Sequence, residues 1–394
     1  MRVVGVVCEY NPFHRGHALH LARAREAAGA DYVVCAMSGA VTQRGLFARH
    51  DKWTRARAAL MGGADLVLEL PARFACAPAP EFAAGGVALL GSLGVVTHLS
   101  FGCEAEVLPL LERTAAVLRE EPPAFRIALR EGLDRGLSYP RAQAEAIQAT
   151  LGEPDLAEAI ARPNAALALE YLRALPPGVR PVPIAREGAD YHDEVLQPLS
   201  SATAVRAACA RGDLTAAMEA MPFPEGFARA EATGFVHAEE ALTQALLYAL
   251  RTTDAKALSR ICGMDEGLQH LFLSAAQTAS SRDALILAVK SKRYTYARLS
   301  RACLSVLLGL TKDFAGAHRA PTYARVLGLR GSARPLLAAI KQRGALPLHA
   351  RAARLRGDPL FAYDLRAQDL WSLGCANPDL RQSCRDLTTG PVIL

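Results

Sequence analysis

Lysine is scarce in this sequence: of 45 basic residues only six are lysine (positions 52, 256, 290, 292, 312 and 341), and the rest are arginine. No Gly-Lys-Ser/Thr string occurs, which excludes a P-loop NTPase. The nine cysteines are odd in number and form no Cys-x-x-Cys pair. A structural zinc centre or a disulfide framework is therefore not expected, and most of the cysteines read as small buried residues in a reducing compartment. No stretch approaches the roughly 18 consecutive apolar residues of a membrane span. Met1-Arg2-Val3-Val4-Gly5 reads as a first strand and not as a signal peptide. A soluble cytosolic protein with no membrane partner is expected. Internal repeats and low-complexity tracts are also missing.

What is there is ample core. The 394 residues are 51% hydrophobic and 21% charged, enough for two domains. The formal net charge of +6 hides an uneven distribution. Residues 282–366 hold 17 Lys+Arg against 4 Asp+Glu, a net of +13, and the remainder carries −7. A strongly basic segment on an acidic body points to a polyanionic partner.

Short apolar runs alternate with helical patterns through the first half. Val3–Val7, Tyr32–Met37, Leu66–Leu70, Val95–Phe101 and Val179–Ile184 read as strands. The first four are continuous apolar runs, as strands buried on both faces should be, and the fifth reads as a strand despite its prolines. Ala18–Ala28, Asp51–Met61 (with Asp51 as N-cap), Glu81–Leu93 and Thr203–Ala210 read as helices. Repeated βα units predict an α/β fold with a Rossmann-like, doubly wound parallel sheet. Residues 221–228 read as a linker. Beyond it no β-branched run appears before the last residues. Glu239–Leu250, Leu268–Thr278, Thr295–Leu310, Arg334–Arg343 and His349–Arg356 are helix candidates. The expected division is 1–220 as the sheet domain and 221–394 as a mostly helical, basic domain.

The most informative segment is Gly5-Val-Val-Cys-Glu-Tyr-Asn11-Pro12-Phe13-His14-Arg15-Gly16-His17. It leaves the first strand and opens the first helix, where open α/β sheets bind ligands. A helix N-terminus there offers free N–H groups and the positive end of its dipole to phosphate. Gly16 lets backbone approach closely. His14 and His17 stand three residues apart, so both can face one phosphate and stabilise charge growing on it during displacement. As competing readings, the two histidines are plain loop residues or a zinc pair; the zinc reading lacks further ligands at a suitable spacing.

This string resembles the H-x-G-H signature of the nucleotidylyltransferase superfamily. Its second signature is an Ile-Ser-Ser-Thr-x-x-Arg-like motif whose arginine reaches the phosphates. Leu199-Ser200-Ser201-Ala202-Thr203-Ala204-Val205-Arg206 stands at the corresponding place. More narrowly, an ordered set of strings resembles the bacterial tRNA(Met) cytidine acetate ligase family. In the first half they include Glu9-Tyr10-Asn11-Pro12-Phe13-His14, Met37-Ser38-Gly39, Gln43-Arg44-Gly45, Lys52-Trp53-x-Arg55 and Asp65–Pro71. Phe101-Gly102-x-Glu104, Leu137–Pro140, Pro163-Asn164, Ile184-Ala185-Arg186, Tyr191-His192-Asp193, Glu266-Gly267-Leu268 and Lys290–Thr295 continue it to the second half.

The resemblance implies a two-step ligase. Acetate attacks the α-phosphate of ATP, giving acetyl-adenylate and pyrophosphate. The exocyclic amine of the wobble cytidine in the anticodon loop of elongator tRNA(Met) then takes the acetyl group, giving N4-acetylcytidine and AMP. His14, His17 and Arg206 are the implied catalytic residues. The implied ATP site comprises Val7, Cys8, Glu9, Tyr10, Asn11, Pro12, Phe13, His14, Arg15, Gly16, His17, Ala18, Leu19 and His20, with Gly102, Asn164 and Arg186. ATP is the implied cofactor, with Mg²⁺, although no carboxylate is identifiable as the metal's ligand. Cys8 stands where the family usually carries an aliphatic residue and reads as core. Assembly into a homo-oligomer is left open.

In the basic segment, Thr295 reads as the N-cap of a helix whose Leu299, Cys303, Val306 and Leu310 form an apolar stripe. Arg298 and Arg301 are then expected to face outward. Lys290, Lys292 and Arg293 precede a helix start, where positive charge opposes the dipole and a bound phosphate would offset it. With Tyr294 as a stacking residue, this set reads as the tRNA-binding face; a merely solvated basic face is the alternative. For the whole chain the runner-up is a nucleotidylyltransferase acting on a phosphomonoester in cofactor synthesis. A non-catalytic RNA-binding protein is the third reading.

Overall fold

The computed structural model describes residues 1–103, 107–137, 139–153, 163–185, 201–291 and 293–394. Eight strands of these residues form one sheet: β1 (Val3–Cys8), β2 (Tyr32–Ser38), β3 (Leu66–Leu70), β4 (His98–Gly102), β5 (Arg180–Ile184), β6 (Ala324–Leu329), β7 (Leu348–His349) and β8 (Val392–Ile393). The order is β5-β4-β1-β2-β3-β6-β7, with β8 also on β6. Strands β1 to β5 pair in parallel, with Val6 opposite both Cys35 and Ser100. The apolar runs are continuous because helices cover both faces. Val34, Ala36, Leu66 and Leu68 point into one layer with Phe74, Phe82 and Trp371. Val33, Cys35, Met37 and Val67 point into the other with Leu21, Ala56 and Leu60. No helix of the described residues is long and apolar enough to cross a membrane.

The first five strands lie where the sequence places them, and β6 and β7 were not foreseen. β6 pairs antiparallel with β3, setting Glu69 opposite Arg325, so the sheet is mixed and not wholly parallel. Ala324-Arg-Val-Leu-Gly-Leu329 carries a charge in mid-strand, which hides it from an apolar-run reading. That charge is matched by distant partners. Arg325 Nη1 lies 2.8 Å from Glu69 and 2.6 Å from Asp386, and Lys52 Nζ lies 2.5 Å from Glu69 and 2.6 Å from Asp386. All four side chains are at most 2% exposed. The sheet therefore draws strands from both sides of residue 221.

Two local expectations also change. Residues 349–356 are not an α-helix; β7 ends at His349 and Ala352–Leu355 forms a short 3-10 turn. The helix starts later, at Pro359–Leu373, where Asp358 Oδ1 accepts from Leu360 N at 2.8 Å and Pro359 fits the first turn. Part of the expected linker is the helix Glu225–Thr233. The helices between residues 243 and 308 enclose a core of their own, with Leu246, Phe272, Leu285, Leu299 and Cys303 at its centre.

Candidate active site

β1 ends at Cys8, and the chain crosses its carboxyl edge before the helix Arg15–Ala28 begins. The two motif histidines themselves cap that helix. His14 Nδ1 accepts from Gly16 N at 3.1 Å, and His17 Nδ1 accepts from His14 N at 3.3 Å. This is a reciprocal capping box with imidazoles in place of the usual hydroxyl and carboxylate. With Nδ1 accepting, a neutral ring carries its proton on Nε2, which makes Nε2–H a donor. The rings stack at 3.7 Å between centroids. Gly16 is needed here, because a Cβ would lie 3.0 Å from the His14 ring.

Beneath the histidines is an aromatic floor. Tyr10 meets Phe13 edge-on at 4.9 Å and His17 at 4.8 Å, and both Tyr10 and Phe13 are buried. These two members of the implied ATP set thus hold the histidines in place from below. His20 Nε2 lies 3.1 Å from Ser100 Oγ, tying the helix to β4. Cys8 is only partly exposed, and burial and the neighbouring Cys35 raise its thiol well above the ordinary range. A thiol in that state is a poor nucleophile. Val7, Ala18 and Leu19 are half-buried, Asn11 and Pro12 buried, and Arg15 exposed.

The second motif is brought directly onto the first. Ser201 Oγ caps the helix Ala202–Ala210 by accepting from Ala204 N at 3.2 Å. One turn on, Arg206 Nη1 donates to Asn11 O at 2.6 Å and Nη2 to Thr203 Oγ1 at 3.2 Å. Arg15 N donates to Ala220 O at 2.9 Å, a second link between the segments. Burial lowers the Arg206 pKa, and the charge of Glu9 opposes that shift. No described carboxylate lies within ion-pair distance of Arg206.

Residues around the histidine loop build the surrounding frame. Arg55 is buried and spans three loops, donating to Glu9 O at 2.6 Å, Ser38 O at 2.9 Å, His50 O at 3.1 Å and also to Gly39 O. Burial pulls its guanidinium down to about 10. Glu9 Oε1 accepts from Gln43 N at 2.6 Å. Burial raises the Glu9 carboxyl, and the charges of Arg206, Arg44 and Arg55 act against that rise. Asn11 Oδ1 accepts from Arg49 N at 2.9 Å, while the Arg49 side chain forks onto Glu231 at 2.7 and 2.6 Å. Arg55, Glu9 and Asn11 were signalled by position within a motif, which does not reveal partners, whereas Arg49 and Glu231 stand in no motif and were missed.

Gly102 closes β4, and extending the β1–β4 register sets it level with Cys8. Asn164 is half-buried in the first turn of the helix Pro163–Ala174. It lies two turns before Tyr171 on the same helix face; the Tyr171 hydroxyl is held high by burial and by the charges of Glu9 and Cys8. No described hydrogen bond joins Gly102 or Asn164 to the histidine loop. Arg186 and Lys292 lie outside the described residues. Among the described residues no group of three metal-ligating side chains occurs.

The basic face differs from its sequence reading in two respects. Thr295 does cap the helix Tyr296–Leu308, accepting from Arg298 N. Tyr294, however, is 6% exposed and part of the helical core, with its hydroxyl donating to Glu266 O at 3.1 Å. Arg293 and Arg298 lie 5.6 and 5.0 Å from its ring centroid. It offers no open face for stacking. Lys290 and Arg293 are exposed, and Arg293 and Arg298 both reach Glu266 Oε2, at 3.2 and 3.4 Å. Arg301 turns inward and donates to Gln43 O at 3.1 Å.

Comparison with known proteins agrees with this geometry. Residues 1–386 match the family model described as HIGH Nucleotidyl Transferase. A tRNA(Met) cytidine acetate ligase of Clostridium perfringens is 34% identical over 406 residues, covering all of both chains. Another, of Syntrophomonas wolfei, is 35% identical over all of this chain and 99% of its own. The crystal structure of Thermotoga maritima TmcAL bound with alpha-thio ATP superimposes with a TM-score of 0.93 at 31% identity, with both chains fully covered. The apo form of that protein gives a TM-score of 0.95.

Proposed function

The chain belongs to the HIGH nucleotidyl transferase family, and from that premise we propose that it is an ATP-dependent tRNA(Met) cytidine acetate ligase. An acetate oxygen attacks the α-phosphorus of ATP, and the bond to the β-phosphate bridging oxygen breaks. Acetyl-adenylate and pyrophosphate result. The exocyclic amine of the wobble cytidine then attacks the acetyl carbon, the carbon–oxygen bond to AMP breaks, and the amine loses a proton. The nucleobase leaves as N4-acetylcytidine.

Acetate is already anionic at neutral pH, so the first step requires no general base. Its barrier is repulsion between two anions. The His14 and His17 Nε2–H groups and the Arg206 guanidinium supply donors against it, and the helix Arg15–Ala28, whose first N–H groups are bonded within the chain, adds the positive end of its dipole. Positioning by the same groups converts an encounter into an in-line attack. Neither step needs a protein nucleophile, in keeping with the high thiol pKa of Cys8. The described residues do not fit a protein-held Mg²⁺: Glu9, the carboxylate of this loop, is bonded to Gln43 N and set among Arg206, Arg44 and Arg55. No step is assigned to the metal.

The observation that carries this reading is the convergence of two motifs nearly 200 residues apart, through Arg206 on Asn11 O. The full-length ligase relatives favour it over a transferase acting on a phosphomonoester. Residues 1–220 hold the nucleotide site, and 221–394 supply the basic surface for RNA, with the sheet shared between them. The test is incubation with ATP, Mg²⁺, acetate and tRNA(Met), followed by nucleoside mass spectrometry. Acetate-dependent exchange of pyrophosphate into ATP without RNA, and N4-acetylcytidine only with RNA, are expected. Absence of both overturns the reading.

A further inference from the structure

Away from the histidine loop, a cavity of about 790 Å³ opens between the 73–84 segment and the C-terminal helices. Five cations line it: Arg73, Arg298, Arg301, Lys312 and Arg319. Only two carboxylates do, Glu81 and Asp265, so the wall carries a formal +3. Three of these cations are paired, Arg73 with Glu81 and Lys312 with Asp265, each at 2.5 Å, and Arg298 with Glu266 at 3.4 Å, whereas Arg301 and Arg319 bond to backbone carbonyls and to no carboxylate. Arg301 is bonded to a carbonyl alone, and burial together with the neighbouring Arg298 lowers its pKa. Arg73 is 6% exposed, and its Nε is buried with no hydrogen-bond partner. Uncompensated buried donors and clustered like charges are costly unless an anion completes them.

The cavity also has more room than a lone phosphate fills, and most of its wall is apolar. That mixture suits a phosphate joined to a planar base. Its position relates it to the candidate active site. Arg301 donates to Gln43 O, and Gln43 N donates to Glu9 at the end of β1. Gly45 seats this loop against the cavity helix with a φ of +76°, and a Cβ there would lie 2.3 Å from Arg301 N.

We propose that this cavity receives an unstacked nucleotide of the RNA substrate, next in the strand to the cytidine being modified. Arg301 and Arg319 bind its phosphate together with the open Nε of Arg73, and the half-exposed Lys312 turns from Asp265 to join them. The proposal rests on the ligase reading and adds Arg73, Lys312 and Arg319 to the RNA-contacting residues. It also explains why Arg301 faces inward, where the sequence alone suggested an outward face.

The test separates charge from space. Lys312→Ala/Arg319→Ala removes two cations from positions that are half-exposed and exposed. Gly316→Phe fills the cavity and removes no charge; Gly316 lines it, and a Cβ there meets nothing within 4 Å. Acetate-dependent pyrophosphate exchange without RNA should stay at the wild-type rate in both variants. The KM for tRNA(Met) should rise about tenfold in each, and the salt dependence of RNA binding should become shallower by about 1.4 in the double variant only. Intact exchange with an unchanged KM in Gly316→Phe overturns the proposal and leaves at most a surface charge effect. If the wild-type protein shows no exchange, the ligase reading fails instead. Equal RNA affinity of wild type and Gly316→Phe in filter binding then overturns the cavity on its own.

Discussion

In the cluster of Lys52, Glu69, Arg325 and Asp386 each cation meets two carboxylates. At the nucleotide site Arg206 meets a carbonyl and a hydroxyl. The first is fully buried and the second partly buried, and they differ in what balances the charge. The first is neutral and closed, and it fastens β6, from the C-terminal half, to β3 and α-helical Lys52. The second holds its guanidinium in place without cancelling it, so positive potential remains for a phosphate. Closure by carboxylates marks the first cluster as structural, while Arg206, held beside the histidine loop by a carbonyl and a hydroxyl, is left for a ligand.

The comparison breaks most visibly when the closed cluster is opened. Asp386→Ala leaves Lys52 and Arg325 sharing one carboxylate and should destabilise the fold by about 3–5 kcal/mol, read by urea denaturation. Activity per folded molecule should change little. The open site should respond the other way round. Arg206→Ala should cut acetate-dependent pyrophosphate exchange by about 10²–10³ while the melting midpoint stays near wild type. His17→Ala should do the same and lose in addition about 1 kcal/mol with its capping bond to His14 N. A large loss of stability in Arg206→Ala would make that arginine structural and erase the distinction.

A third kind of burial sharpens the contrast. His237 has no counter-charge; its Nδ1 lies 3.0 Å from Trp371 O, and burial lowers its imidazole to about 4. The unfolded chain binds a proton near pH 6.5 that the folded chain refuses. Stability is therefore full above pH about 6.5 and falls as the pH drops toward 4, by up to roughly 3 kcal/mol. Urea midpoints across that range should show the slope in the wild type and a flatter one in His237→Gln. The smallest effect belongs to the exposed pair of Arg293 and Glu266, where Arg293→Ala should leave the melting midpoint unmoved.

The parallel strands β1 to β4 were legible because their runs are largely apolar on both faces, and the helix starts at Asp51, Ser201 and Thr295 because capping chemistry is local. The histidine loop was legible for the same reason: strand, turn and helix start lie within fifteen residues. β6 was not, because Arg325 is acceptable in a buried strand only through Glu69 and Asp386, far away in the chain. Tyr294 looked like a surface aromatic among cations, yet its ring completes the helical core and its hydroxyl finds Glu266 O. The convergence of Arg73 with Lys312 and Arg319 depends on packing across more than 200 residues, which no spacing rule reaches.

The central claim is attack by acetate at the α-phosphorus, and isotope transfer tests it most directly. With acetate labelled by ¹⁸O, wild-type protein, ATP and tRNA(Met), the oxygen that bonds to phosphorus stays behind when the acetyl group moves to the amine. AMP should then carry one ¹⁸O for each N4-acetylcytidine formed, and pyrophosphate none. Label in inorganic phosphate with formation of ADP, or acetylated cytidine with unlabelled AMP, would contradict the account.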